Sequence, residues 1–123
     1  MFFGSDNNRD VLKAARWNLN NLDLAEHIKV GRREVMEIDI PENMKQGWVV
    51  TNPPYGERLG IDENLLDVYR DLAHQMKTHF KDWNLWVLSG NEKLTGALKL
   101  KAADSYPVFN GNIDCRFLNY PIK

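Results

Sequence analysis

The sequence predicts an α/β fold, a mostly parallel sheet that finishes in an antiparallel hairpin. Three observations predict it. Short β-prone runs alternate with amphipathic stretches along the chain. One such stretch, residues 63 to 80, carries Leu65, Tyr69, Leu72, Met76 and Phe80 at helical spacing, widened by Leu66, Val68 and Ala73. Near the end, Tyr106 to Phe109 and Cys115 to Ile122 flank Asn110-Gly111-Asn112, which reads as two strands joined by a tight turn.

The elements follow in order. Phe2-Phe3-Gly4-Ser5 reads as the end of a short buried strand, and Asp6, Asn7 and Asn8 suit a turn and a helix N-cap. A helix is predicted over residues 9 to 22, with Leu12, Ala15, Leu19 and Leu22 on one stripe. His27 to Val30 is a short alternating strand ended by Gly31, and a less regular stretch with Val35, Met36, Ile38 and Ile40 runs to Pro41, which breaks any helix there. Trp48-Val49-Val50-Thr51 is β-prone and stops at Asn52, because two consecutive prolines cannot donate to a sheet ladder. Asp62 is placed to cap the helix that follows it. Leu85 to Ser89 is a buried strand, and Glu92 to Leu100 a short helix capped or interrupted near Gly96. No repeat, low-complexity tract or linker stands out, and the 123 residues read as one domain.

Composition is that of an ordinary globular protein, with 43% hydrophobic and 27% charged residues. No apolar run approaches the ~20 residues needed to span a bilayer, and Met1 to Asp6 lacks the pattern of a signal peptide. The single Cys115 cannot form an internal disulfide and is compatible with a reducing cytoplasm. One cysteine and three scattered histidines (His27, His74, His79) are too few for a zinc site and take structural readings. The tryptophans Trp17, Trp48, Trp83 and Trp86 are read mostly as core or helix-packing residues. The net charge of -1 is unhelpful for gripping phosphates. Lys29, Arg32 and Arg33 form one small basic cluster, so for a nucleic-acid substrate much of the gripping surface belongs to another domain or subunit.

Ligands of parallel α/β sheets bind beyond the carboxyl ends of the strands, which singles out Asn52-Pro53-Pro54-Tyr55 and Asp6. Each proline forces the residue before it into an extended conformation, so the backbone at Asn52 is stiff before any ligand arrives. The Asn52 side-chain oxygen and the Pro53 carbonyl can accept two hydrogen bonds from one NH2 group. Tyr55 offers a flat face to a base, and Gly56 lets the chain turn away. An exocyclic base amine is a poor nucleophile because its lone pair is delocalised into the ring. Two acceptors out of the ring plane favour a pyramidal nitrogen and stabilise its developing charge. With a sulfonium donor, S-adenosylmethionine, as the electrophile, binding, orientation and electrostatics are what the protein must supply. A base in a duplex would first leave its stack. A plain Pro-Pro turn uses the same residues.

Asp6, at a strand end before a helix, can accept two hydrogen bonds from ribose hydroxyls, or simply serve the helix end. Glu34, after the next strand, can meet an adenine amine or lie solvated on the surface.

Together, Phe3-Gly4-Ser5-Asp6 and Val49 to Leu59 (Val-Val-Thr-Asn-Pro-Pro-Tyr-Gly-Glu-Arg-Leu) resemble the THUMP-containing 23S ribosomal RNA guanine-N2 methyltransferases. The Gly56-Glu57-Arg58-Leu59 extension is the specific part, since adenine-N6 enzymes share the Asn/Asp-Pro-Pro-aromatic core but usually not this continuation. The tail from Trp83 to Tyr120 also resembles this group. The resemblance implies a Rossmann-like fold with S-adenosylmethionine as cofactor. It implies that Asp6 binds the cofactor ribose, that Glu34 stands where an acid meets its adenine, that Asn52 also contacts the cofactor, and that Asn52, Pro53, Pro54 and Tyr55 hold the guanine amine. It further implies that the first strand, its glycine-rich cofactor loop and the RNA-binding domain lie outside these 123 residues. The chain is then the C-terminal part of a catalytic domain, inactive alone, cytoplasmic, completed in cis or in trans, and able to dimerise through an exposed strand edge. An adenine-N6 methyltransferase and a non-catalytic remnant or assembly module are the rival readings.

Overall fold

A computed structural model describes residues 2–55 and 63–123 of the chain. Asp62 and Gly56 to Leu59, to which the sequence assigns a helix cap, a turn and a family signature, lie outside the described residues. The chain divides into two compact units, Met1–Pro41 and Glu42–Lys123.

The first unit begins with strand β1, Phe2–Asp6, followed by helix α1, Arg9–Asn21. Asn8 caps α1, its side-chain oxygen accepting from the backbone N–H groups of Asp10 and Val11 at 2.9 and 3.1 Å. Strand β2, Ile28–Arg32, pairs in parallel with β1, with Asp6 opposite Arg32. A single 3₁₀ turn, Val35–Glu37, stands where the sequence loses regularity.

Three expectations are corrected here. Gly31 does not end β2: it pairs with Ser5 inside the ladder, has ordinary backbone angles and leaves the strand to run on to Arg32. The β1 strand is not buried, as Phe2 is 70% exposed, because among the described residues β2 is its one sheet neighbour. Trp17 is also exposed; it lies roughly 140° around the helix from Leu12, the buried residue of α1.

The second unit is a four-stranded sheet of order β3-β4-β6-β5. Strand β3, Trp48–Thr51, pairs in parallel with β4, Asn84–Ser89. Between them in sequence runs helix α2, Glu63–His79. A short helix α3, Glu92–Gly96, precedes the terminal hairpin of β5, Asp104–Asn110, and β6, Ile113–Pro121. Both of the hairpin's sheet pairings are antiparallel. The hairpin turns at Gly111, whose φ of +64° suits glycine. The parallel start and antiparallel end are those the sequence predicts, and α3 stops at Gly96, short of Leu100.

The core lies in this unit. Tyr69, Leu72, Ala73 and Met76 form the buried stripe of α2, and Leu85 and Val87 the buried face of β4. Leu94, Leu98, Phe80, Trp83, Cys115, Tyr120 and Ile122 complete it. The reverse face of β4 is half-buried; there Trp86 stacks on Phe117 at 4.9 Å and meets Trp48 at 6.1 Å. Trp48 itself is 69% exposed, against the core reading, because among the described residues β3 is an edge strand with β4 as its one partner.

β6 pairs with β4 only from Arg116 to Pro121, with Arg116 opposite Ser89. The hairpin therefore extends past the carboxyl end of β4 by the three residues Ile113 to Cys115 and their partners on β5, roughly 10 Å of strand.

Candidate active site

The carboxyl end of β3 leads directly into Asn52, which is exposed, then Pro53, which is buried, Pro54 and the half-buried Tyr55. Three elements of the same unit fix this segment. From α2, the Tyr69 hydroxyl donates to the Pro54 carbonyl at 2.9 Å. Tyr69 is 1% exposed, and burial, with a smaller contribution from Tyr55, pushes its pKa up to about 12. It therefore remains a protonated donor throughout the neutral range.

From the hairpin, the Asn110 side-chain amide donates to the Tyr55 hydroxyl at 2.7 Å. From the end of β4 comes Gly90. A Cβ placed there would lie 2.8, 2.9 and 2.9 Å from three adjacent atoms of the Tyr55 ring. Near-equal distances to three neighbouring ring atoms put Gly90 beneath the face of the ring rather than at its edge. No other residue type allows that approach without moving the ring.

The Gly90 backbone is anchored on both sides. The Ser89 hydroxyl lies 2.8 Å from that of Thr95. Asn91 caps α3, accepting from the backbone N–H groups of Lys93 and Leu94 at 2.9 and 3.2 Å. Among the described residues the Asn52 side chain has no hydrogen-bond partner. An unpartnered carboxamide beside a fixed aromatic ring, on a backbone stiffened by two prolines, is suited to accept from a flat ligand bearing an amino group.

In the first unit the structure brings Asp6 and Glu34 to one end of the β1–β2 pair. Asp6 Oδ1 accepts from the Asn8 backbone N–H at 2.8 Å, and the Asp6 carbonyl accepts from the Arg33 N–H at 3.0 Å. Asp6 Oδ2 has no partner among the described residues. Asn7 Nδ2 reaches Glu34 at 3.4 Å, and the Glu34 N–H donates to the Glu37 carboxylate at 2.8 Å. An open recess of about 320 Å³ beside them is lined by Arg32, Glu34 and Glu37. A carboxylate with one oxygen engaged and one available fits a ribose diol, and an acid two residues past the next strand fits a polar group further along the same ligand.

Tyr69, Gly90 and Asn110 were not singled out by sequence as site residues. Tyr69 reads as one more member of the α2 stripe and Asn110 as turn chemistry. A glycine directly after a strand is a recognised sign of close approach, and Gly90 carries that signal.

A parallel sheet closing in an antiparallel hairpin, with Asn-Pro-Pro-Tyr at a strand's carboxyl end, defines a methyltransferase domain of the Rossmann-like class. The model of the family UPF0020, described as RMKL-like, methyltransferase domain, matches residues 1–119, and the chain belongs to that family. It is 35% identical over 99% of its length to the ribosomal RNA large subunit methyltransferase K/L of Psychromonas ingrahamii, covering 16% of that protein. To the protein of the same description from Syntrophotalea carbinolica it is 36% identical over 97% of its length, covering 17%. The chain thus spans about a sixth of the length of these curated relatives. Among solved structures, SMU.472 complexed with SAH superposes with a TM-score of 0.89, 21% identity and coverage of 99% of this chain and 32% of that one. That likeness establishes the fold. Among the described residues no helix is long and apolar enough to cross a membrane.

Proposed function

We propose that this chain supplies the target-base pocket of a methyltransferase that uses S-adenosylmethionine to methylate the exocyclic N2 amine of a guanine in 23S ribosomal RNA. The observation that carries this reading is the Asn52 to Tyr55 segment, fixed by Tyr69, Gly90 and Asn110, while the Asn52 side chain has no hydrogen-bond partner among the described residues. The family and the descriptions of its relatives as ribosomal RNA large subunit methyltransferases support the substrate class.

On this reading the Asn52 side-chain oxygen and the Pro53 carbonyl accept the two N–H groups of the target amine. Tyr55 stacks on the base and excludes water from one side of it. Asp6 accepts the ribose hydroxyls of the cofactor and Glu34 its adenine amine. The cofactor, when bound, supplies an electrophilic methyl group on a sulfonium. The two acceptors orient the amine lone pair for attack and stabilise the positive charge that develops on nitrogen as the methyl–sulfur bond breaks. A proton then leaves the alkylated nitrogen for solvent, so no strong base is needed in the site. Activity on ribosomal RNA places the enzyme in the cytoplasm. The grip on RNA belongs to further parts of the enzyme, a THUMP domain on this reading, because the chain's net charge is -1.

Nucleoside analysis of ribosomal RNA methylated by the intact enzyme tests the proposal. N2-methylguanosine is the expected product. N6-methyladenosine would replace the guanine assignment with the adenine one, and no methylated nucleoside would leave an assembly module as the reading. The 123 residues alone are expected to bind the cofactor weakly and to be inactive, because Asp6 and Glu34 are two side contacts without a glycine-rich loop among the described residues. Calorimetry giving a micromolar Kd for S-adenosylmethionine would refute that expectation.

A further inference from the structure

We propose that Asn110, at the tip of the terminal hairpin, is a positioning residue for the target base: it acts through the Tyr55 hydroxyl to hold the stacking ring in place. This rests on the reading of Asn52 to Tyr55 as the amine pocket. Tyr55 has two faces and one polar atom. One face lies on Gly90, close enough that a single added carbon would overlap three ring atoms. The polar atom accepts from Asn110 at 2.7 Å, across 55 residues of sequence. The backbone just before the ring is tied at the Pro54 carbonyl by Tyr69.

With its ring supported from below and anchored at its hydroxyl, Tyr55 presents its second face as a fixed platform. The hairpin overhang beyond β4 is what brings Asn110 to that hydroxyl, since the pairing of β6 with β4 ends at Arg116. A stacking platform contributes to rate only if its tilt is set before the base arrives. A free phenol ring would have to be ordered at each encounter, at a cost in conformational entropy. Asn110 thus belongs to orientation of the base rather than to capture of the RNA, and its loss falls on kcat more than on KM.

The test is a double-mutant cycle in the intact enzyme, using Asn110→Ala, Tyr55→Phe and the pair, with Asn52→Ala as reference. Loss of one hydrogen bond predicts a three- to tenfold fall in kcat for each single variant, roughly the range such bonds span. The KM for RNA stays within about twofold of wild type, as phosphate contacts elsewhere set it. The double variant falls no further than the lower single one, because both changes remove the same bond.

Equal effects of Asn110→Ala in the wild-type and Tyr55→Phe backgrounds would overturn the proposal, since Asn110 would then act only on the hairpin turn. A wild-type kcat for Asn110→Ala would also overturn it. The Asn52→Ala reference separates the two readings. If it retains turnover, the amine pocket is misassigned and this inference goes with it. If it loses turnover while the cycle is additive, the pocket stands and only the role of Asn110 is wrong.

Discussion

Replacing Gly90 with alanine adds one carbon at the point where the pocket is tightest. That carbon would sit 2.8 to 2.9 Å from the Tyr55 ring. Ordinary carbon contacts are about 3.5 to 4.0 Å, so the ring must withdraw by roughly 0.7 to 1 Å. The neighbouring bond to Asn110 is 2.7 Å long. The ring is pushed along its normal, across that bond rather than along it, so the bond is bent more than stretched. The main loss is misplacement of the platform, which can cost up to about 10²-fold in rate. The backbone raises no objection, because Gly90 does not need a positive φ.

The substitution is therefore expected to lower kcat/KM in the intact enzyme by about 10- to 100-fold, with the melting temperature little changed. The assay is methyl transfer to ribosomal RNA alongside a thermal melt of the same preparation. Wild-type turnover with an unmoved melt would refute the reasoning, because it would mean the ring's position does not matter. A large drop in melting temperature would refute it differently, by showing that Gly90 serves the fold.

Further expectations concern Asn52 and Tyr69. On the proposed reading Asn52→Ala removes one of two acceptors of the target amine and should reduce kcat by about 10²-fold or more in single-turnover measurements; unchanged turnover with unchanged product would dismiss the amine pocket. Tyr69 carries a pH signature. Its pKa is raised to about 12 from 10.0, so the folded state binds more protons than the unfolded state between those values. The stability this represents is complete below pH 10 and is lost as pH rises toward 12. Urea melts at pH 8 and pH 11 should show wild type losing about 1 kcal/mol more than Tyr69→Phe. Parallel losses in the two proteins would assign the alkaline sensitivity to other groups.

What could be read from the sequence, and what could not, divides by distance along the chain. Strand β3 was legible to the residue because Pro53 and Pro54 stop the ladder, and the hairpin was legible because Gly111 supplies the turn. The stripe of α2 was legible because helical spacing repeats over 17 residues. Burial was less so. Trp48 is as apolar as Trp83, yet one lies on an edge strand and the other in the core, and nothing local tells them apart. The chemistry of Asn52 could be named from its neighbours. Its support could not, because Tyr69 and Asn110 lie 15 and 55 residues from the groups they bond. A hydroxyl on a buried stripe does not announce its acceptor, and an asparagine beside a turn glycine is fully explained by the turn.

Those same separations have a consequence for how the pocket comes into being. Its hydrogen bonds close loops of 15 and 55 residues, and the longer loop carries the greater entropic cost of closure. During folding, the short contact from α2 can form as soon as that helix docks. The contact from Asn110 must await β5 and β6, which follow α2, β4 and α3 in the chain. Opening confined to the tip of the hairpin would release Tyr55 without the core giving way. On the proposed reading, competence to orient a base thus depends on the tip of the hairpin. Hydrogen exchange at the hairpin amides would track it more closely than any measure of global unfolding.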